Sequence, residues 1–131
     1  RTNPEFPVKR GQELELTWEA PATPGQTRIQ IKLDVSHHGG KKGETDCDVS
    51  DTGSFEIPAS LVTALVDLGL AGYPTIVLTR TSSGSSLAQP AFRFAISSGV
   101  EREVDTGITS CVEDAQCPDG ELCNMDKLVC E

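Results

Sequence analysis

Between Arg28 and Ser36 apolar and polar residues alternate without a break. Ile29, Ile31, Leu33 and Val35 face one way, and Arg28, Gln30, Lys32 and Asp34 the other. A half-buried β-strand has this period of two, whereas a helix would scatter the same apolar set around its circumference. Shorter stretches repeat the pattern. Glu13 to Trp18 sets Leu14, Leu16 and Trp18 on one face, and Thr75 to Thr81 opposes Ile76 and Leu78 to Val77 and Thr79. Ala91 to Ser97 gathers Phe92, Phe94 and Ile96 on one side, with further short strands at Glu44 to Val49, Ser54 to Ile57 and Glu101 to Val104. Turn-forming residues separate these runs: Pro21, Pro24 and Gly25, then the Gly- and Lys-rich stretch His37 to Gly43, then Asp51-Thr52-Gly53, then the Ser/Gly loop Ser82 to Ser86. Only Pro58 to Leu68 changes period. Leu61, Val62, Leu65, Val66 and Leu68 recur at helical spacing, with Ser60 as a cap and Gly69 as a stop. The expected fold is all-β, an antiparallel sandwich of about seven strands with one short helix.

Beyond Asp105 the chain can no longer support itself by burial. Residues 105–131 hold seven acids against one lysine, and their scattered Val112, Leu122, Met125, Leu128 and Val129 bury too little to order them. Four of the five cysteines, Cys111, Cys117, Cys123 and Cys130, fall in this stretch. Such clustering reads as a disulfide staple, which persists in an oxidising compartment: extracellular, periplasmic or cell-surface. A boundary near Gly107 divides the chain into a sandwich, residues 1–106, and a stapled tail, residues 107–131. Opening on Arg1 without a leader fits a processed or excised segment. The net charge of −9 repels phosphate backbones and anionic lipid, and no apolar run reaches the ~20 residues of a membrane helix. Neither nucleic-acid binding nor membrane insertion is expected.

Two resemblances add to this reading. Residues 11–104 resemble the immunoglobulin-like and fibronectin-like modules of bacterial lipoproteins and large surface proteins. The pattern is carried by Leu16-Thr17-Trp18 and by the run Cys47 to Pro58, Cys-Asp-Val-Ser-Asp-Thr-Gly-Ser-Phe-Glu-Ile-Pro. That likeness implies an immunoglobulin-like β-sandwich in an extracellular setting and no particular activity. The tail, Cys-x5-Cys-Pro-x4-Cys-x6-Cys, resembles small secreted cysteine-rich modules, and its Asp114 and Cys117-Pro118 placement is similar to half of a whey-acidic-protein domain. By that likeness Cys111 pairs with Cys123 and Cys117 with Cys130, one of three pairings open to four cysteines. Each bridge would close a loop of about 13 residues, worth about 3 kcal/mol.

Several motifs invite chemical readings. Asp51-Thr52-Gly53 and Asp105-Thr106-Gly107 match the aspartic-protease triplet, but Asp-Thr-Gly is ordinary turn chemistry and the second triplet lies in the linker. His37-His38, near Asp46 and Asp48, could ligate a metal only from a loop, and a solvated hairpin tip is the expectation. The tail cysteines lack the short Cys-x2-4-Cys pairs that zinc favours, and its acids (Glu113, Asp114, Asp119, Glu121, Asp126) lack the density of a calcium loop. The serines at 82–86 have no nucleophile elbow. Cys47 reads as a buried inert thiol, or as the partner of a cysteine outside this chain. These eliminations predict a non-enzymatic module, without cofactor or metal, that binds a protein or glycan through loops at one sandwich end. His37, His38, Lys41, Lys42, Ser82, Ser83 and Ser85 are the candidate contact residues. A structural spacer in a larger surface protein is the first alternative, and a secreted protease inhibitor acting through the tail is the second.

Overall fold

The computed structural model describes residues 6–88 and 90–131. Its strands run β1 (Phe6–Pro7), β2 (Leu14–Thr17), β3 (Thr27–His38), β4 (Glu44–Ser50), β5 (Ser54–Ile57), β6 (Gly72–Ser85), β7 (Arg93–Asp105), β8 (Cys123–Asn124) and β9 (Val129–Cys130). One helix, α1 (Ala59–Val66), links β5 to β6, and a short 3-10 helix covers Asp114–Gln116. A five-stranded sheet in the order β1-β7-β6-β3-β4 curls as a half-barrel. Across its inner face lie the pair β2-β5 and α1, while β8-β9 forms a separate ribbon in the tail. The all-β expectation with one short helix holds. The cover, however, is two strands and a helix rather than a second full sheet.

The alternation of β3 dictates what is buried. Ile29, Ile31, Leu33 and Val35 are each at most 3% exposed and meet Leu14 and Leu16 of β2, Ile57 of β5 and Val62, Leu65 and Val66 of α1 in one cluster. The helix starts where the Pro58 carbonyl accepts the N–H groups of Leu61 and Val62. Ser60 lies inside the first turn and provides no side-chain cap. Gly69, at φ +82, ends the helix as expected and takes the carbonyl of Val66 through its N–H. Its buried stripe is narrower than the sequence pattern, since Leu61 and Leu68 stay half exposed.

Three further elements differ from expectation. Ala91 to Ser97 and Glu101 to Val104 are one unbroken strand, β7, and Ser82 to Ser85 is the end of β6 rather than a loop. β1 pairs with β7 in parallel, Phe6 with Val104 and Pro7 with Asp105, within an otherwise antiparallel sheet. Finally, β3 runs past Ser36 to His38 through a bulge between Asp34 and His37. Asp34 secures this bulge by accepting from the Ser36 N–H at 2.7 Å and the Ser36 hydroxyl at 3.0 Å, and the bulge lets Val35 and Ser36 both turn inward.

The tail is tied back to this core. Bridges Cys111–Cys123 and Cys117–Cys130 close it, the two pairs the cysteine-rich likeness implies. Val129 joins the buried cluster and Ile108 packs against it. Lys42 Nζ donates to the carbonyls of Lys127 at 3.0 Å and Asp126 at 3.4 Å. A Cβ on Gly69 would come within 2.6 Å of the Lys127 carbonyl oxygen, so the two backbones need a glycine there.

Candidate functional site

The expected contact residues do not form one loop cluster. His37 and His38 belong to β3, in register with Tyr73 and Gly72 of β6, with their rings 4.0 Å apart and tilted. A Cβ on Gly39 would fall 2.3 Å from Ala71 backbone and one on Gly72 2.2 Å from the His37 carbonyl, so the segment is clamped rather than a free tip. His37 Nε2 has an acidic neighbour, Glu101, at 3.6 Å. Lys42 is engaged by the tail, and Lys41 is exposed. Ser82, Ser83 and Ser85 stand opposite Ile96, Ala95 and Arg93 of β7.

The Asp-Thr-Gly triplets are far apart and differently employed. Asp105 Oδ1 accepts from the Gly107 N–H at 2.8 Å, a local turn. Asp51 has a fully enclosed side chain. It accepts from Arg80 Nε at 2.6 Å, Thr27 Oγ1 at 2.6 Å and Trp18 Nε1 at 2.7 Å. The Arg80 hydrogen bond above all, helped by Thr27 and Trp18, holds its carboxyl below the ordinary range against the opposing effect of burial. Arg80 also donates to the Glu19 carbonyl at 2.5 Å. Arg80 is in register with Ser98, seven residues along β7 from Asp105, roughly 23 Å at strand rise. Two carboxylates that far apart cannot share a proton. Asp51 is an anchor joining β2, β3, β4 and β6, a role that a turn reading of the triplet does not reveal.

The grouping of three potential ligands among the described residues is Cys111, Cys117 and Cys130, whose sulfurs are committed to disulfides. Cys47 is half-buried in β4 opposite Ile31, and burial, with Asp46 adding to it, pushes its thiol up and away from the reactive thiolate. A groove of about 550 Å³ between α1 and the tail is lined by Arg10, Asp67, Lys127 and Glu131. Arg10 pairs with Asp67 and Lys127 with Glu131, so those charges neutralise one another. No helix among the described residues is long and apolar enough to cross a membrane.

What stands out instead is β7. Of its thirteen residues only Val104 is buried. Register places Val100 opposite Leu78, Ile96 opposite Ser82 and Phe94 opposite Gly84, on the face that carries Ile76 into the core. The apolar face therefore continues outward past Arg80, where the Asp51 cluster closes the covered region. Ile96, Phe94 and Phe92 lie beyond it at 67%, 49% and 57% exposure, and Val100, one inner-face pair before it opposite Leu78, is itself 52% exposed. Phe94 lies across Gly84, where a Cβ would approach its ring to 2.6 Å, and Phe92 stacks obliquely beside it at 6.3 Å. Among the described residues the outer edge of β7 is paired only at Val104 and Asp105. Sequence reading found the Phe92-Phe94-Ile96 face but not its exposure. The exposure follows from lengths that only the structure shows: β2 and β5, four residues each, are too short to cover strands of thirteen and fourteen.

No family model matches this chain, and comparison with curated proteins and with solved structures finds no match either. The immunoglobulin-like and whey-acidic-protein-like resemblances rest on their sequence patterns alone.

Proposed function

We propose that this chain is a non-enzymatic binding module working in an oxidising setting, extracellular, periplasmic or cell-surface, with β7 and the β6–β7 hairpin as its contact surface. The carrying observation is the uncovered apolar face Phe92, Phe94, Ile96 and Val100 beside a strand edge that is open among the described residues. A polar spacer has no use for such a face, and exposed apolar patches of this kind mark interaction sites. A protein partner is favoured over a glycan, because an open edge offers backbone N–H and C=O groups that another backbone can pair. Two disulfides support the oxidising setting, and an immunoglobulin-like module of a larger surface protein is the architecture we favour. The inhibitor reading is the weaker one, since the Cys111–Cys123 segment folds back through a 3-10 turn instead of presenting an extended reactive loop.

The test immobilises the wild-type chain and an Ile96→Lys variant and screens both against extracellular proteins and glycans. A protein ligand held by the wild type and weakened about tenfold or more by the variant is the expected result. A ligand indifferent to Ile96→Lys but lost in Lys41→Ala would return the site to the β3–β4 loop.

A further inference from the structure

We infer that the occupant of the β7 edge is a second copy of this chain, paired antiparallel through β7 about a two-fold axis at Ser97. This rests on the reading of β7 as a contact surface and names its partner. Between Arg93 and Glu101 the strand is self-complementary in that register, while Phe92 falls opposite Arg102. Antiparallel neighbours share a face only if even residues meet even and odd meet odd. Centring on Ser97 satisfies this, setting Phe94 opposite Val100 and Ile96 opposite Ser98 on the inner face. On the outer face Ala95 meets Gly99 and Arg93 meets Glu101. Each charged residue between Arg93 and Glu101 thus finds its opposite, twice over, across the axis.

Among the described residues, the edge from Phe92 to Val100 lacks the usual guards against such pairing. Phe92 to Val100 contains one charge, Arg93, and neither proline nor lysine. Arg93 to Glu103 is neutral overall, two arginines against two glutamates, within a chain of net charge −9. The remaining acids of the two copies repel, but at physiological salt that repulsion is screened beyond about 8 Å. The four exposed apolar side chains amount to roughly 400 Å² per copy. Edge pairing covers the flanks of these side chains and the paired backbone, so two copies together bury on the order of 600–800 Å², the size range of weak, reversible contacts. A reversible dimer with a dissociation constant on the order of 10 µM is the expected strength.

Sedimentation equilibrium across concentrations bracketing that value reads the association directly. Ile96→Lys should leave the chain monomeric with an unchanged melting temperature, because Ile96 lies outside the core. Arg93→Glu should weaken the dimer about tenfold by placing like charges opposite each other twice. Glu101→Arg should do the same, and the double variant Arg93→Glu/Glu101→Arg should restore wild-type association, which no merely structural role of either residue would produce. A wild-type chain that stays monomeric overturns the inference, as does a double variant that fails to recover. If the chain is monomeric yet Ile96→Lys still abolishes binding of a different protein or of an extended peptide, the second copy falls while the contact-surface reading stands.

Discussion

Asp51 shows how much one enclosed carboxylate can organise. Its two oxygens receive Trp18 from the end of β2, Thr27 from the start of β3 and Arg80 from the middle of β6, so three separate elements converge on one side chain. The carboxylate must be ionised for all of these bonds to form. Its folded-state value lies below the unfolded value of about 3.9, so it stabilises the fold above that pH and loses its contribution as pH falls through the folded value. Asp51→Asn should lower the melting temperature at neutral pH more than Asp67→Asn does, because Asp67 and its partner Arg10 are largely solvent-exposed. The same variant should flatten the loss of stability below about pH 4. Thermal unfolding followed from acid to neutral pH checks both. Equal effects for the two aspartates would remove Asp51 from this anchoring role.

At the scale of elements, α1 and β7 share a difficulty and solve it differently. Each carries apolar residues on more surface than the chain can cover. The helix turns Val62, Leu65 and Val66 into the cluster and leaves Leu61 outside at 48% exposure. Leu65→Ala should therefore cost about 2–4 kcal/mol through lost burial and the cavity left behind, whereas Leu61→Ala one turn earlier should cost well under about 1 kcal/mol. Urea midpoints at unchanged slope distinguish the two. In β7 the register that buries Val104 also aims Val100, Ile96 and Phe94 along the same face, beyond the reach of β2, β5 and α1. No rotation is available to a strand held in register with β6 along its length, so its apolar side stays exposed.

For the whole molecule, the tail behaves as part of the core's closure. Val129 lies in the buried cluster, Lys42 holds the Asp126–Lys127 carbonyls, and the Cys117–Cys130 bridge fixes the strand that carries Val129. Replacing Cys117 and Cys130 together by serine should destabilise the chain by about 3 kcal/mol, the loop-closure value for a separation of 13 residues. Hydrogen exchange should quicken both in the tail and at Val66 and Leu70, which sit in the same cluster as Val129. Faster exchange confined to residues 108–131 would instead mark the tail as an independent unit.

The strand class, the inward set of β3, the helix with its following glycine and the crowding of cysteines in the tail were all legible along the chain. All of these follow from local periodicity, backbone preference or composition, which depend on near neighbours in the chain. Tertiary structure alone decided the parallel β1–β7 pairing, the fusion of two expected strands into β7, the conversion of Ser82–Ser85 from loop to strand, and the gathering of Trp18, Thr27 and Arg80 around Asp51. Alternation in Phe92, Phe94 and Ile96 says that these side chains share a face. Whether that face is covered depends on the lengths and placement of β2, β5 and α1, elements as far as eighty residues away. Burial is a property of the whole assembly, so the candidate site of this protein was visible as a pattern in one strand and became a surface only once the rest of the chain had folded short of it.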